Sequence, residues 1–162
     1  MSADSWIIIR DISFENHKAA LSEGLAFQLD LEVHNDLESY VDIKCCYIIG
    51  DKEYVFDEIS LPEGIERGIY SIPIETEDFD FSENKFDLFD ALGVIGLNIQ
   101  MVYNEDMFAS LGFLVSTRYF LDDEELTSMD INLPDELNFE NMIRNITVDK
   151  SHCNYFPIEW NK

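Results

Sequence analysis

The run Asp78-Phe79-Asp80-Phe81-Ser82-Glu83-Asn84 sets oxygen-bearing side chains at alternate positions, as the first half of an EF-hand calcium loop does. Such a loop needs glycine at its sixth position for a sharp turn and a bidentate glutamate at its twelfth, where this chain has Glu83 and Phe89. The pattern fits a solvated acidic loop anchored by its phenylalanines better than a metal site. A calcium-responsive module therefore ranks behind the binding functions below.

Other reactive residues are as thinly spread. His17, His34 and His152 stand apart, and no Gly-x-Ser-x-Gly elbow, phosphate loop or His-Glu-x-x-His motif occurs. Carboxylates are so abundant that any pair of them says nothing about acid–base chemistry. Cys45 and Cys46 are adjacent and Cys153 is alone, which is neither a metal-ligand spacing nor a disulfide framework. The expectation is reduced thiols inside a cell, with at least one of the adjacent pair filling the core, because neighbours on a strand face opposite ways. Asn145-Ile146-Thr147 fits a glycosylation sequon, but Met1–Arg10 has neither the basic leader nor the apolar core of a secretory signal. No run approaches a membrane span. The chain is expected to be no enzyme, and no cofactor or metal is implied.

What dominates the sequence is charge. Thirty-four Asp and Glu against 10 Lys and Arg give −24 on 162 residues, yet 46% of the chain is hydrophobic and 13% aromatic. Acidic tails lack the large apolar residues that offset the entropy of ordering, so this chain folds. Its field repels nucleic-acid phosphates and attracts cationic proteins. The length fits one domain, 1–162, without staples.

The elements that position these charges have mostly a period of two. Phe27, Leu29, Leu31 and Val33 alternate with Gln28, Asp30, Glu32 and His34, predicting a strand with one buried face. Further strands are expected over 6–9, 43–49, 54–61, 69–74, 94–103, 107–115 and 155–160, the last with Phe156 and Trp160 packed along an edge. Turn signals at Asn35-Asp36, Gly50-Asp51-Lys52, Pro62-Glu63-Gly64 and Asn104-Glu105-Asp106 separate them. Many short strands without alternating helices predict an all-β, immunoglobulin-like antiparallel sandwich, with short helices over 82–92 and 134–143 in its connections. The acidic clusters Glu75–Asp90 and Asp122–Glu125 belong at the surface.

The last third of the chain carries an ordered set of motifs: Tyr119, Asp123-Glu124-Glu125-Leu126, Pro134, Arg144-Asn145-Ile146 and Phe156-Pro157-Ile158-Glu159-Trp160. Upstream stand Phe27-Gln28-Leu29-Asp30-Leu31-Glu32, Lys44-Cys45-Cys46-Tyr47, and Asp90-Ala91-Leu92-Gly93-Val94 with Tyr103 and Phe108. In order and spacing this set resembles the anti-silencing-function family of histone H3–H4 chaperones over nearly the whole chain. The resemblance implies a monomeric, nuclear sandwich, able to shuttle with the cytoplasm, that hands on H3–H4 in nucleosome assembly and disassembly. An H3 helix would lie on a concave sheet face, and the H4 C-terminal tail would add as a strand. Basic segments of chromatin assembly factors would dock elsewhere, with no direct contact to nucleic acid or membrane.

Carried across residue by residue, the resemblance implies an H3 surface of Asp51, Glu53, Asp90, Leu92, Ile95, Gly96, Asn98, Ser110, Leu114 and His152. It implies an H4 edge at Ile8, Cys153, Asn154 and Tyr155, and a co-chaperone site at Asp36, Glu38, Tyr40, Asp42, Lys44 and Leu61. Four positions depart from the family pattern: Gly96 stands for a bulky Val, Ser110 for an Arg, Leu114 for a Tyr and His152 for an Arg. Either the partner surface changed with them, with Ile95, Leu97 or Leu114 supplying apolar contact in a shifted groove, or histone binding is weakened. Ser39 and Tyr40 likewise replace an acidic pair. The alternative class is an acidic sandwich adaptor for a basic peptide or a non-histone protein.

Overall fold

The computed structural model describes residues 5–79, 88–126 and 133–161, with the backbone alone over 148–152. Among the described residues ten strands follow one another: β1 (Ile7–Phe14), β2 (Lys18–Ala20), β3 (Ala26–Val33), β4 (Val41–Ile49), β5 (Lys52–Ser60), β6 (Gly68–Glu75), β7 (Gly93–Tyr103), β8 (Asp106–Leu121), β9 (Glu124–Leu126) and β10 (Met142–Tyr155). They form two antiparallel sheets, one in the order β1-β3-β6 and one in the order β2-β10-β8-β7-β4-β5 with β9 paired to β8. This is the all-β sandwich expected from the period-two pattern.

Alternation sets which side chains meet between the sheets. Phe27, Leu29, Leu31 and Val33 of β3 face inward, as do Ile95, Leu97, Ile99 and Met101 of β7 and Leu111, Phe113 and Val115 of β8. The β7–β8 hairpin turns at Asn104 and Glu105, both at positive φ (51° and 72°). The β8–β9 hairpin turns at Asp122 and Asp123 in the same way (52° and 64°). Left-handed residues at both turn positions match the twist of the flanking strands, and Asn and Asp tolerate that conformation best.

Two expectations are corrected, and a third lies mostly outside the described residues. The segment 155–160 is not a strand: the ladder ends at Tyr155, and Phe156 N–H donates a last bond to the Phe108 carbonyl at 2.9 Å. Pro157 has no amide proton to continue it. Trp160 instead turns into the core against Phe108 (ring centroids 5.0 Å), Tyr103 (5.3 Å) and Trp6 (5.8 Å), whereas Phe156 is exposed. The helix expected over 134–143 shrinks to a 3-10 turn at Phe139–Asn141, capped by the Asn138 side chain, before β10 begins. Of the helix expected over 82–92, only a 3-10 turn at Leu88–Ala91 falls among the described residues.

The long strand β10 escaped the sequence pattern. Its inward positions Met142 and Ile146 flank Arg144, and a cation at an inward position breaks the apolar stripe that marks a strand. A register shift between Thr147 and His152 breaks the period again.

Candidate functional site

The outer face of the larger sheet is built by the side chains that alternation turns away from the core. Register aligns them in rows across the strands. One row runs Glu53, Ile48, Gly96, Leu114, Thr147 over β5, β4, β7, β8 and β10. The next runs Val55, Cys46, Asn98, Gly112, His152, and a third runs Glu58, Lys44, Gln100, Ser110, Asn154. Together Ile48, Gly96, Asn98, Ser110, Gly112 and Leu114 line a shallow groove.

The first row is apolar at its centre: Ile48 is 36% exposed and Leu114 49%. Between them Gly96 leaves a notch walled by Ile48: an ideal Cβ on Gly96 would lie 3.2 Å from the Ile48 Cβ. In the two rows beyond, Asn98 gathers two side-chain bonds. Ser110 Oγ donates to Asn98 Oδ1 at 2.7 Å, and the Cys46 thiol donates to the Asn98 carbonyl at 3.4 Å. Burial, reinforced by Glu53, pushes the Cys46 thiol up to about 12, so it stays protonated and unreactive.

Carboxylates rim one end of this face. Asp51 sits in the turn between β4 and β5, Glu53 on β5, and Asp90 in the 3-10 turn ahead of β7; all three are exposed. Because Ile48 pairs with Gly96, the β4–β5 turn and the start of β7 lie at the same end of the sheet. Thr117 Oγ1 donates to the Ala91 carbonyl and ties down the turn that carries Asp90. Leu92 is half-buried beside it.

Two expected contact residues do not reach this face. Ile95 is 3% exposed and Leu97 is also buried, because odd positions of β7 point between the sheets. Ile48, which the sequence did not single out, takes the apolar role on the outer face; its even position on β4, in step with Asp42 and Lys44, was the signal that could have found it. For His152 only the backbone is described, paired opposite Gly112.

The residues expected at the tail-binding edge lie near one another. β2 covers β10 only at Ile143–Asn145, so among the described residues 152–155 are paired to β8 on one side alone. Ile9 N–H donates to the Tyr155 hydroxyl at 2.9 Å, which ties β1, where half-buried Ile8 sits, to this edge. Burial, ahead of its neighbours, raises both the Tyr155 phenol and the nearby Cys153 thiol.

The third expected site is divided. Asp36, Glu38 and Tyr40 lie on the exposed β3–β4 loop, held by the Tyr103 hydroxyl, which accepts the Glu38 N–H at 3.1 Å. Asp36 accepts the Arg67 N–H at 2.8 Å, and Glu63 raises the exposed Tyr40 phenol. Asp42 and Lys44 stand instead on the outer face of β4, where Asp42 accepts from Ser60 Oγ at 2.5 Å. Leu61 is buried and is a packing residue, not a contact.

Cations and metals gain no centre here: among the described residues no three His, Cys, Asp or Glu side chains gather as ligands. Of the calcium-like run, Asp78 accepts the Gly24 N–H at 2.8 Å and Phe79 is buried; the rest lies outside the described residues.

Comparison with known proteins places this arrangement. The family model described as ASF1 like histone chaperone matches residues 4–161. The chain is similar to a protein of Dictyostelium discoideum named histone chaperone asf1, 25% identical over 162 residues that cover 97% of this chain and 99% of that one. A probable histone chaperone asf-1-like protein of Caenorhabditis elegans is 24% identical over 159 residues, 96% of this chain and 62% of its own length. A histone chaperone ASF1 of Yarrowia lipolytica is 23% identical over 161 residues, 96% and 57% respectively. The chain thus spans less than two thirds of the latter two.

Proposed function

The chain belongs to the family of ASF1-like histone chaperones, and on that premise we propose that it is a histone chaperone whose outer sheet face receives a helix of H3 within an H3–H4 heterodimer. The observation that carries the reading is one juxtaposition: the apolar row Ile48, Gly96, Leu114 meets Glu53 beside Ile48, with Asp51 and Asp90 at the same end of the sheet. An amphipathic basic helix needs an apolar seat and an acidic rim, and the net charge of −24 steers it there.

The edge at Cys153, Asn154 and Tyr155 takes the H4 C-terminal tail as an added strand, a mode sustained mainly by backbone hydrogen bonds and tolerant of side-chain change. The work is carrying histones into and out of nucleosomes in the nucleus, with exchange through the cytoplasm. It needs no catalysis and no direct contact to DNA or membrane. The protein acts as one sandwich and as a monomer. Basic segments of assembly factors dock on the loop bearing Asp36, Glu38 and Tyr40.

The test is a titration of the folded protein against the same organism's H3–H4 over a range of salt. Saturable binding near physiological ionic strength is expected, and its absence overturns the reading. Recovery of a basic non-histone protein, and no histone, by cross-linking in cells would assign the face to an adaptor instead.

A further inference from the structure

We propose that the notch over Gly96 is a hole that receives one bulky apolar side chain from the partner helix, with Ile48 and Leu114 as its walls. The proposal rests on the histone reading above and specifies the partner surface that this face selects.

Gly96 lies within β7, and an ideal Cβ there would stand 3.2 Å from Ile48 Cβ and 3.6 Å from its Cδ1. Directly opposed Cβ atoms on neighbouring strands ordinarily lie about 4.5–5.5 Å apart, so Ile48 occupies space that a side chain at position 96 would need. The glycine is thus matched to the residue beside it. Ile48 and Leu114 sit on the strands either side of β7, and strands are spaced about 4.8 Å, so the walls are roughly 10 Å apart at the backbone. That gap admits one side chain between them and leaves a helix, about 10–12 Å across, resting above.

Nothing next to the notch competes for an apolar group. Asn98 and Ser110 in the neighbouring rows bond to each other, and the Cys46 thiol is committed to the Asn98 carbonyl. At the other side of the row Glu53 offers charge, with Asp51 and Asp90 at the same end of the sheet. The occupant is therefore a basic helix with a single large aliphatic or aromatic side chain directed at the sheet. A partner with a small residue there would leave the hole empty and lose that contact.

The sign of one substitution separates this from the view that Gly96 is merely a lost contact. Filling the hole with Gly96→Val should weaken binding about tenfold or more, the loss expected at a central interface position, whereas a merely lost contact would be regained and binding would tighten. Ile48→Ala should also weaken binding about tenfold. Ile69→Ser, on exposed β6 of the smaller sheet, should leave it unchanged. Titrations against the same organism's H3–H4 are run beside thermal melts and sedimentation of the protein alone. Equal or tighter binding by a folded Gly96→Val overturns the proposal. If that variant does not fold, Gly96→Ala takes its place, with a several-fold loss expected and tighter binding fatal. Wild-type protein that binds no H3–H4 overturns the functional reading and this proposal with it. Self-association of the protein alone that Gly96→Val abolishes would give the notch to a second copy, and that too overturns it.

Discussion

The Arg144 guanidinium donates to the Tyr47 hydroxyl at 3.3 Å from a side chain with 0% exposure. Nη1 and Nη2 also donate to backbone carbonyls, those of Asn16 and Gly24 at 3.1 Å each and that of Glu23, while among the described residues the buried Nε meets no acceptor. Among the described residues no carboxylate pairs with it. A cation in a low-dielectric interior is tolerated only when oxygens surround it, and here the oxygens belong to the turns on either side of β2. Arg144 therefore fastens those turns to β10 and β4.

Removing that cation should cost more than removing its one side-chain partner. Arg144→Ala takes a donor from the Asn16, Glu23 and Gly24 carbonyls, empties a large fully buried position, and should lower stability by about 3–5 kcal/mol. Tyr47→Phe removes one hydrogen bond and should cost about 1 kcal/mol. Denaturant midpoints for the two variants check the ratio, and equal effects would place the importance in the phenol.

Trp160 should matter far more than its exposed neighbour Phe156. It packs against Trp6, Tyr103 and Phe108 from a turn beyond the last strand. Trp160→Ala should therefore cost about 3–5 kcal/mol, against well under 1 kcal/mol for Phe156→Ala. Calorimetric melting temperatures decide it.

The three thiols should separate by reactivity. Burial pushes Cys45 and Cys46 up to about 12, while Cys153 is exposed. Alkylation of the native protein at pH 8 should mark Cys153 alone, and all three only after denaturation; mass spectrometry reads the sites. Because the folded values lie above the ordinary thiol value of 9.0, the stability held by these thiols is complete below that pH. It should decline as pH rises from there toward 12.

The bond from Ile9 N–H to the Tyr155 hydroxyl should be separable from the rest of the fold. Tyr155→Phe is expected to cost about 1 kcal/mol and to speed hydrogen exchange at the Ile9 amide. Unchanged exchange at that amide would mean that the phenol does not hold it.

Histone association should fall steeply with added salt, since the screening length is only about 8 Å at physiological ionic strength and much of the acidic field lies outside the groove. The on-rate, followed by stopped flow from low to physiological salt, should carry most of the change. A rate insensitive to salt would remove steering from the account.

The sequence by itself determined the sandwich and its strongly acidic charge. Alternation along β3 and β7 depends only on which residues are apolar, because a strand turns successive side chains to opposite faces whatever its neighbours are. The resemblance grouped Gly96, Asn98, Ser110 and Leu114, and strand register sets these four in neighbouring rows of the larger sheet. Where one rule did not suffice, tertiary structure decided. Leu61, just beyond the end of β5, entered the core because packing between layers, not residue type, fixes which apolar side chains are covered. Arg144 occupied an inward position that the pattern reserves for apolar residues, since carbonyls distant in sequence were brought around it. Ile48 came to stand over Gly96 through the register of two strands forty-odd residues apart along the chain. Register depends on turns, bulges and the whole buried face at once, and so the notch exists only in the folded sheet.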